Sequence, residues 1–412
     1  MIILRLSGRV KLWAVDELKA AQVFATLKKM TILLATDHYL PTINGIAIHV
    51  DLLAKELRRR GHTVYILTAY CPGQELSEFL IPAPSLPLLG RGDERLIIPF
   101  SPKTIRHLRK IDFDIVHDHL FLTTFLSRII VKEKSLPHLV TYHTIFIYIV
   151  KRTFPFLPES VLTKLSNNLE RWYFNQFDQI LAPSQKAVDA IRAGSVKTPV
   201  IKFHNGIATL KPKQNKTYPW YDPKNTYIAL TGRVDSTKNV RMALDAFKEL
   251  SSMVDTAYLV IIGDGPGQKP YKTYVKELGV EKKVIFFGKY QLAELLTIYQ
   301  YIDIAFFTSI ADTLSTVAIE QAVAGLPFVV VDDPGVTEIA QPSVNAIATE
   351  NDAHKLAQAL KKLIDDKPLR EKYGKESIKI GKEFTIQSFG DRIEKMYQGL
   401  QEKKANSLGR NH

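Results

Sequence analysis

Short apolar segments alternate with longer amphipathic segments along most of the chain. In the first half, apolar and β-branched runs predict buried strands, and the segments between them repeat apolar residues at helical spacing. The strands predicted for this half lie at residues 31–36, 63–69, 113–119, 138–143 and 179–184. Strands that are apolar throughout and separated by helices are typical of a parallel sheet covered by helices on both faces.

The same alternation starts again in the second half, after residues 210–225. That segment, LKPKQNKTYPWYDPKN, is rich in Lys, Pro and Asn and has no periodicity, so it predicts a linker or an exposed excursion. The strands predicted after it lie at residues 226–233, 257–266, 283–290, 303–309 and 327–335. We therefore predict an α/β fold in which two doubly wound, Rossmann-like domains face a central cleft.

The same pattern predicts the domain boundaries. We expect an N-terminal domain at residues 30–205, a C-terminal domain at residues 206–385, and a C-terminal helix and tail at residues 386–412 that pack back across the domains. Residues 1–29 are predicted to be an N-terminal appendage, with an amphipathic helix as the alternative. Their apolar stretch is short and is followed by acidic residues, so a signal peptide is not indicated.

Composition narrows the class of protein. With 46% hydrophobic and 24% charged residues among 412, the chain has the composition of a globular protein. The single cysteine, Cys71, excludes an internal disulfide framework. No apolar run reaches the ~18 residues of a membrane span, so no transmembrane segment is predicted.

The net charge is +13, and residues 1–200 contribute +9 of it. A basic excess in one half indicates an anionic partner there, such as nucleic acid, anionic lipid or a phosphorylated substrate. A solvated basic surface without a partner is the alternative.

Candidate chemistry lies where the predicted strands end, because ligands of open parallel sheets bind beyond the carboxyl ends of the strands. In LTGRVDSTKN, residues 230–239, Arg233 and Lys238 follow a strand and precede a helix. Two cations there suit a diphosphate leaving group, and a pair of surface cations is an equally good interpretation. In VIFFGKY, residues 284–290, the backbone at Lys289 could hold the edge of a base.

The segment FFTSIADTLSTVAIEQAVAGLPFVVV, residues 306–331, carries two carboxylates. Asp312 lies in a predicted loop, and Glu320 lies in the following predicted helix among apolar neighbours. Carboxylate oxygens suit the vicinal hydroxyls of a sugar, while helix capping by Asp312 and an ion pair for Glu320 are the alternatives. Glu320 is the stronger candidate, since a carboxylate on an apolar helix is costly to bury. Backbone N–H groups at the helix start would come from Thr313, Leu314 and Ser315.

The first half offers two further candidates at strand ends. Asn44 and Gly45 open a predicted helix, where glycine lets backbone N–H groups approach an anion, and a simple turn is the alternative. His143, in VTYHT, could reach a reacting centre or be a hydrogen-bonded core histidine. In HDH, His117 and His119 have strand spacing, but no third metal ligand is indicated, so no metal site is predicted.

The motifs together resemble a known family. TGRVDSTKN, LVIIGDGP, VIFFG and SIADTLSTVAIEQAVAGLPFVVVDDPGVTEI are similar, in order and spacing, to the C-terminal domain of glycosyltransferase family 4. The first half is similar through LPTINGIAIHV, ELRRRGHTVYILT, DIVHDH and TYHT. The resemblance covers roughly residues 30–400 and implies a retaining, nucleotide-sugar-dependent enzyme with the GT-B fold.

The resemblance implies roles for the candidate residues. The donor diphosphate would be held by Arg233 and Lys238, and Gly45 would lie against it from the other domain. Glu320 would bind the ribose hydroxyls. The residues implied near the donor sugar and the reacting centre are Asp312 and His143. The remaining residues implied in donor binding are Lys289, Thr313, Leu314 and Ser315.

The sequence departs from the family pattern at three places. Asp312 is a methylene shorter than the usual Glu, Leu314-Ser315 replaces an aromatic-Gly pair, and Asn44-Gly45 replaces two glycines. These departures bear on the donor sugar and on activity itself. The resemblance implies a reaction on one face of the sugar in which the leaving phosphate assists, so no protein nucleophile, metal or other cofactor is expected.

We expect the acceptor to be a lipid such as diacylglycerol, and the donor to be UDP-glucose or a related UDP-hexose. Residues 141–174 place aromatic and aliphatic side chains around Lys151 and Arg152, and residues 101–110 add basic ones. Such a face suits an anionic bilayer, although these aromatics could equally belong to the core. The chain also resembles bacterial diacylglycerol glucosyltransferases, a monotopic group of this family, which implies a cytoplasmic protein peripheral on the inner face of the cell membrane.

Other functions stay open at this point. The same chemistry could act on a soluble saccharide or glycan, or the chain could be a non-catalytic nucleotide-sugar-binding partner subunit. Nucleic-acid binding is not favoured, because the sequence has neither an aromatic-basic RNA motif nor a recognition helix.

Overall fold

The computed structural model contains two parallel sheets of seven and six strands, each covered by helices. It describes residues 2–6, 9–13, 28–42, 45–87, 95–119, 121–143, 150, 156–208, 217–235, 238–288, 290, 292–309 and 314–409. The predicted α/β fold with two doubly wound, Rossmann-like domains is confirmed.

The described strands are β1 (Ile2–Leu6), β2 (Arg9–Trp13), β3 (Thr31–Ala35), β4 (Thr63–Ala69), β5 (Leu80–Ala83), β6 (Ser85–Pro87), β7 (Arg95–Ile97), β8 (Ile115–Asp118), β9 (His138–Thr141), β10 (Gln179–Ala182), β11 (Val200–Lys202), β12 (Thr226–Thr231), β13 (Ala257–Ile262), β14 (Val284–Gly288), β15 (Ile304–Phe307), β16 (Phe328–Val331) and β17 (Ala346–Thr349).

The described helices are α1 (Gly45–Arg59), α2 (Pro102–Arg109), α3 (Thr124–Lys134), α4 (Glu159–Phe174), α5 (Gln185–Ala193), α6 (Val240–Met253), α7 (Gln268–Glu277), α8 (Leu292–Tyr299), α9 (Thr316–Val323), α10 (Pro334–Thr337), α11 (Ala353–Asp365), α12 (Lys367–Glu383) and α13 (Ile386–Gly409). Within the described ranges, no helix is long and apolar enough to cross a membrane.

The N-terminal sheet has the strand order β11-β10-β9-β8-β3-β4-β5, and all of its pairings are parallel. Helix α1 covers it with Val50, Leu53 and Leu57, which recur at helical spacing and are fully buried. Gly61, with φ +93, ends the chain reversal after α1 in a conformation that favours glycine. The strand ends of β3, β8 and β9 therefore meet at one edge.

The C-terminal sheet has the order β14-β13-β12-β15-β16-β17, again with parallel pairings. One core lies on each face of it, with Phe328 buried on one side and Phe306 on the other. Strands β12 and β15 are neighbours at the centre, so the loops that follow them converge at one edge. That edge holds most of the predicted donor-binding residues.

The C-terminal helix α13 leaves its own domain and packs on the N-terminal sheet. Ile386, Phe389, Ile393 and Tyr397 are buried in the same core as the α1 side chains. The hydroxyl of Tyr397 lies 2.7 Å from Nδ1 of His117. The helix thus fastens the two halves of the chain together.

One local alternative was wrong, and one local expectation holds only in part. Residues 2–6 and 9–13 pair as an antiparallel hairpin, so the amphipathic-helix alternative does not hold for them. The described part of the predicted linker, residues 217–225, is only partly exposed, because Tyr218 is buried and stacks on Trp220 with ring centroids 5.2 Å apart. Aromatic side chains carry enough apolar area to hold this segment on the C-terminal domain despite its Lys and Pro content.

Candidate active site

The loop after β12 is tied to its neighbours by side-chain hydrogen bonds. The Thr308 hydroxyl, just beyond β15, donates to the carbonyl of Lys238 at 3.0 Å. The Gln321 amide on α9 donates to the Thr231 hydroxyl at 3.3 Å. These bonds fix the loop and helix α9 beside each other, which brings Lys238 and Glu320 to the same edge of the sheet.

The two predicted cations flank this loop in different ways. Arg233 is exposed, and its Nε donates to the buried carboxylate of Asp235 at 2.5 Å, which orients the guanidinium. The side chain of Lys238 runs alongside Gly232, where an added Cβ would come within 3.4 Å of Lys238 Cε. Both cations thus lie at the mouth of β12, as expected for residues that bind a diphosphate.

Glycines of the GDGPG motif let the β13 loop press against the β12 loop. A Cβ on Gly263 would lie 1.9 Å from the Gly232 carbonyl oxygen, and one on Gly265 would lie 2.5 Å from that of Val234. The N–H of Val234 in turn donates to the Asp264 carbonyl at 3.0 Å. The glycines of this motif therefore shape the loop that carries Arg233.

Helix α9 begins at the predicted site segment. Ser315 is its N-cap: the hydroxyl accepts the Ala318 N–H at 3.3 Å, and the Ser315 N–H donates to the Gly335 carbonyl at 3.0 Å. Leu314 packs against the apolar core of the domain. The Ser315 hydroxyl therefore serves the helix, in the capping role that sequence reasoning had considered for Asp312.

Glu320 is held in an apolar setting on α9. Its Oε2 is buried and has no hydrogen-bond partner among the described residues, and burial raises the pKa of its carboxyl to about 7. Burial is the larger cause that raises the pKa of Tyr290 to about 12, and the nearby charge of Glu320 is the second. A buried, unpaired carboxylate oxygen is costly unless a ligand completes it, and sugar hydroxyls are suitable donors.

Three predicted site residues, Lys289, Asp312 and Thr313, lie outside the residues that the structure describes. Gly45, on the N-terminal domain, is the first residue of α1, and an added Cβ would meet no atom of the described residues within 4 Å. Space for a ligand therefore exists in front of this helix start, where backbone N–H groups favour an anion.

His143 lies at the end of β9, close to two other histidines. Its Nε2 is 3.0 Å from Nδ1 of His119, and its ring contacts that of His49 edge-on with centroids 5.2 Å apart. Burial holds the pKa of His143 well below its usual range, and His49 and His117 lower it further. The imidazole is therefore neutral at pH 7. Sequence spacing gave no third ring beside His117 and His119, whereas the fold supplies His49 and His143.

The two domains touch at Glu338, which follows α10. Its Oε1 accepts the N–H of Gln185 at 2.6 Å, and its Oε2 lies 3.5 Å from Lys202 Nζ and 3.6 Å from His204 Nδ1. All three partners belong to the N-terminal domain. This contact spans the boundary between the two sets of candidate residues.

A groove lies between α3 and α4 on the N-terminal domain and encloses about 200 Å³. It is lined by Phe121, Phe125, Ile129 and Trp172, with Arg128 and Lys132 beside them. Trp172 is 50% exposed and Phe125 39% exposed, which is unusual for such large apolar side chains.

Solved structures share this two-domain arrangement. Anabaena HepE in complex with UDP superposes with a TM-score of 0.66 at 17% identity, covering 90% of this chain and 100% of that one. Sucrose-phosphate synthase from Thermosynechococcus elongatus gives a TM-score of 0.65 at 17% identity, covering 90% and 99%. The fold is GT-B, the fold of many glycosyltransferases.

The sequence matches give the family. Residues 43–209 match the Glycosyltransferase Family 4 model, and residues 212–380 match the model of Glycosyl transferases group 1. The chain therefore belongs to the glycosyltransferases that combine these two domains, as the sequence motifs predicted.

Two curated relatives are alpha-monoglucosyldiacylglycerol synthases. The chain is 25% identical to that of Streptococcus pneumoniae over 389 residues, which is 89% of this chain and 85% of the relative. It is 25% identical to that of Acholeplasma laidlawii over 329 residues, which is 73% of this chain and 80% of the relative.

Proposed function

We propose that this glycosyltransferase transfers glucose, or a related hexose, from a UDP-sugar to the hydroxyl of a lipid such as diacylglycerol, with retention of configuration. The likeness to two alpha-monoglucosyldiacylglycerol synthases supports both the sugar and the acceptor. The observation that carries the acceptor assignment is the exposed aromatic groove with its flanking cations.

The donor half of the proposal depends on the C-terminal sheet edge. Glu320 accepts hydrogen bonds from the ribose hydroxyls, which would complete its buried Oε2. Arg233 and Lys238 bind the diphosphate and stabilise the charge that develops on it as it leaves. Gly45 leaves room for the diphosphate to reach the start of α1 from the other domain.

The remaining predicted residues keep their proposed places, with one change. Lys289, Asp312, Thr313 and Leu314 remain candidates for contacts with the base, the donor sugar and the diphosphate. Ser315 is proposed as a positioning residue instead, because its N–H and hydroxyl oxygen are already engaged within the protein. It acts on the donor through the placement of α9.

The proposed reaction needs little chemistry from the protein. The bond from the anomeric carbon to the UDP oxygen breaks, and the bond to the lipid oxygen forms on the same face of the sugar. The hydroxyl proton passes to the leaving phosphate, so no protein nucleophile and no metal is required. Neutral His143 is proposed to lie near the donor sugar, where it can hydrogen-bond without adding charge.

The acceptor half depends on the groove between α3 and α4. Phe125 and Trp172 offer apolar area to an acyl chain, while Arg128 and Lys132 suit anionic headgroups at the same surface. We therefore propose peripheral binding to an anionic membrane, with the cytoplasmic face as the site of action, because UDP-sugars are made there.

The test is transfer of labelled glucose from UDP-glucose into diacylglycerol vesicles with and without anionic lipid. We expect label in the organic extract, more of it with anionic lipid, and a loss of about tenfold or more in Trp172→Ala on vesicles. Met253→Ala removes a similarly exposed apolar side chain from α6 in the other domain and should change nothing. UDP release with a soluble saccharide and no lipid label would overturn the lipid acceptor.

A further inference from the structure

Three histidines from separate elements of the N-terminal domain converge on one point. His49 lies on α1, His119 follows β8, and His143 follows β9. One ring nitrogen from each lies within 4.8 Å of the other two. The strand-end geometry of a parallel sheet creates this convergence, which no spacing along the chain indicates.

The cluster carries hydrogen-bonding capacity that the described residues leave unused. His49 is 5% exposed and neither of its ring nitrogens has a partner, and His119 is 1% exposed with no partner for Nε2. Burying a polar nitrogen without a partner costs about 1–3 kcal/mol each. A neutral imidazole has one N–H and one lone pair, so buried His49 holds a lone pair that no described residue uses, as a ligand of a cation would.

The neighbouring histidines are different, because they are already satisfied. His117 is bonded on both sides, by Tyr397 at 2.7 Å and by Thr141 at 2.7 Å. It stacks on His119 with ring centroids 4.1 Å apart. His117 therefore orients the cluster without being free to ligate.

Burial also prepares the three rings chemically. It holds the pKa of His49 at about 4 and that of His119 well below its usual range, so both are neutral and present lone pairs at pH 7. A metal-binding histidine must be neutral. No proton needs to be removed from an imidazolium before a cation binds.

We propose that His49, His119 and His143 form a binding site for a first-row divalent cation, Zn²⁺, with one nitrogen from each ring. Three imidazoles and one exchangeable position are a donor set that zinc accepts. With Zn–N bonds of ~2.0–2.1 Å, neighbouring ligand nitrogens lie ~3.4 Å apart. Nδ1 of His119 and Nε2 of His143 are 3.0 Å apart, which is already close to this spacing. A side-chain rotation of His49 then completes the site.

His143 is the least buried of the three histidines and is also a candidate residue of the proposed active site. This gives the site a consequence that rests on the proposed function. A cation on His143 takes the lone pair of the imidazole proposed to lie near the donor sugar. Zn²⁺ is therefore an inhibitor of transfer, and the metal-free chain is the active form.

Binding is tested by titrating Zn²⁺ into the full chain after chelator treatment and dialysis. We expect one equivalent in the wild type and in His354→Phe, a control at an exposed histidine of α11. His49→Phe keeps the ring volume but removes both nitrogens, and should weaken binding by at least about 100-fold. Equal binding by His49→Phe, or less than one equivalent in the wild type, would overturn the site.

A second readout needs no variant. Co²⁺ bound to the wild-type chain should give the intense visible absorption of a four-coordinate ion, and Zn²⁺ should displace it. Only the weak spectrum of six-coordinate Co²⁺ would contradict a tris-imidazole site, even if His49→Phe fails to fold.

Inhibition is tested separately in the lipid-transfer assay. Wild-type transfer should fall in step with Zn²⁺ occupancy, and His49→Phe, compared with its own metal-free rate, should lose no activity at the same concentrations. Unchanged transfer at full occupancy would overturn the inhibitory role. If no transfer occurs in the metal-free chain, the proposed function fails while the titration still decides the site.

Discussion

The carboxylate of Glu338 in the C-terminal domain accepts the backbone N–H of Gln185 in the N-terminal domain at 2.6 Å. Gln185 is the first residue of α5, so the charge lies at the positive end of a helix dipole. Lys202 lies on the same side of the boundary and adds positive charge, whereas burial lowers the pKa of His204. One carboxylate therefore links the sheet edge that holds His143 to the one that holds Glu320.

We predict that Glu338→Ala loosens this contact. Exchange of the Gln185 amide hydrogen should speed up, because its acceptor is gone. Because the contact joins the two domains, KM for the donor should also rise, by about threefold to tenfold. Hydrogen exchange followed by mass spectrometry measures the first effect. Glu338→Gln retains an acceptor oxygen, so its exchange rate should lie between those of the wild type and Glu338→Ala. Exchange at the wild-type rate in Glu338→Ala would refute the contact between Glu338 and Gln185.

The buried carboxyl of Glu320 predicts a pH dependence of stability. Its pKa is raised from 4.5 to about 7 by burial, so the folded chain holds a proton that the unfolded chain has lost in this interval. The stability from the protonated form is fully present below about pH 4.5 and is lost as pH rises through about 7. The shift corresponds to about 3 kcal/mol. Glu320→Gln should remove this dependence in denaturant titrations, and an unchanged profile would contradict the buried position.

Donor binding should have the opposite pH dependence. Ribose hydroxyls donate to the charged carboxylate, so UDP-glucose should bind more tightly as pH rises from about 6 to about 8. The diphosphate of UDP-glucose does not titrate in this interval, which isolates the protein group. Calorimetry should show the trend in the wild type and a weak, flat affinity in Glu320→Gln. Equal affinity in both would remove Glu320 from the donor site.

The ion pairs of α13 predict a large difference between two neighbouring carboxylates. Glu394 is buried and accepts from Arg60 at 3.2 Å and lies 2.7 Å from His62 Nε2, whereas Asp391 also pairs with Arg60 but is 58% exposed. Glu394→Ala leaves the buried Nε2 of His62 without its partner and should cost about 2–3 kcal/mol, although Arg60 keeps its ion pair with Glu56. Asp391→Ala should cost less than about 1 kcal/mol. If urea titrations showed similar losses of stability in Glu394→Ala and Asp391→Ala, the burial of Glu394 would be contradicted.

The close packing of the β12 and β13 loops gives a glycine prediction. Gly263 has φ +143 and no room for a Cβ beside the Gly232 carbonyl, so Gly263→Ala should destabilise the fold by about 2 kcal/mol or more and weaken donor binding. Gly399→Ala, on α13 with no atom within 4 Å, should stabilise by about 0.5–1 kcal/mol. Thermal unfolding of the pair measures both, and a neutral Gly263→Ala would refute the contact.

The strands were predictable because burial in a parallel sheet leaves a long apolar run between helices. Residues 63–69 were predicted as a strand and form β4 at the same limits. The strand predicted at residues 327–335 is shorter, Phe328–Val331, because Pro334 starts the short helix α10. Pro fits the first turn of a helix, and that local preference overrides the apolar pattern.

Part of the candidate site could not be predicted from spacing alone. Glu320 was identifiable because a charged residue on an apolar helix is costly to bury, and its Oε2 has no partner within the described part of the chain. His49 gave no such signal, because its neighbours in the cluster come from β8 and β9 and only the sheet order brings them together. The role of Ser315 as N-cap depended on where α9 begins, which a predicted helix locates only to within a few residues.

The most direct test of the central claim is the structure of the product formed from UDP-glucose and diacylglycerol by the metal-free chain. Proton NMR of the organic extract should reveal one glucose on the free hydroxyl of the lipid, with the small anomeric coupling of an α-linkage, as retention requires. Free glucose, a β-linked lipid, or glucose attached only to a water-soluble acceptor would contradict the account.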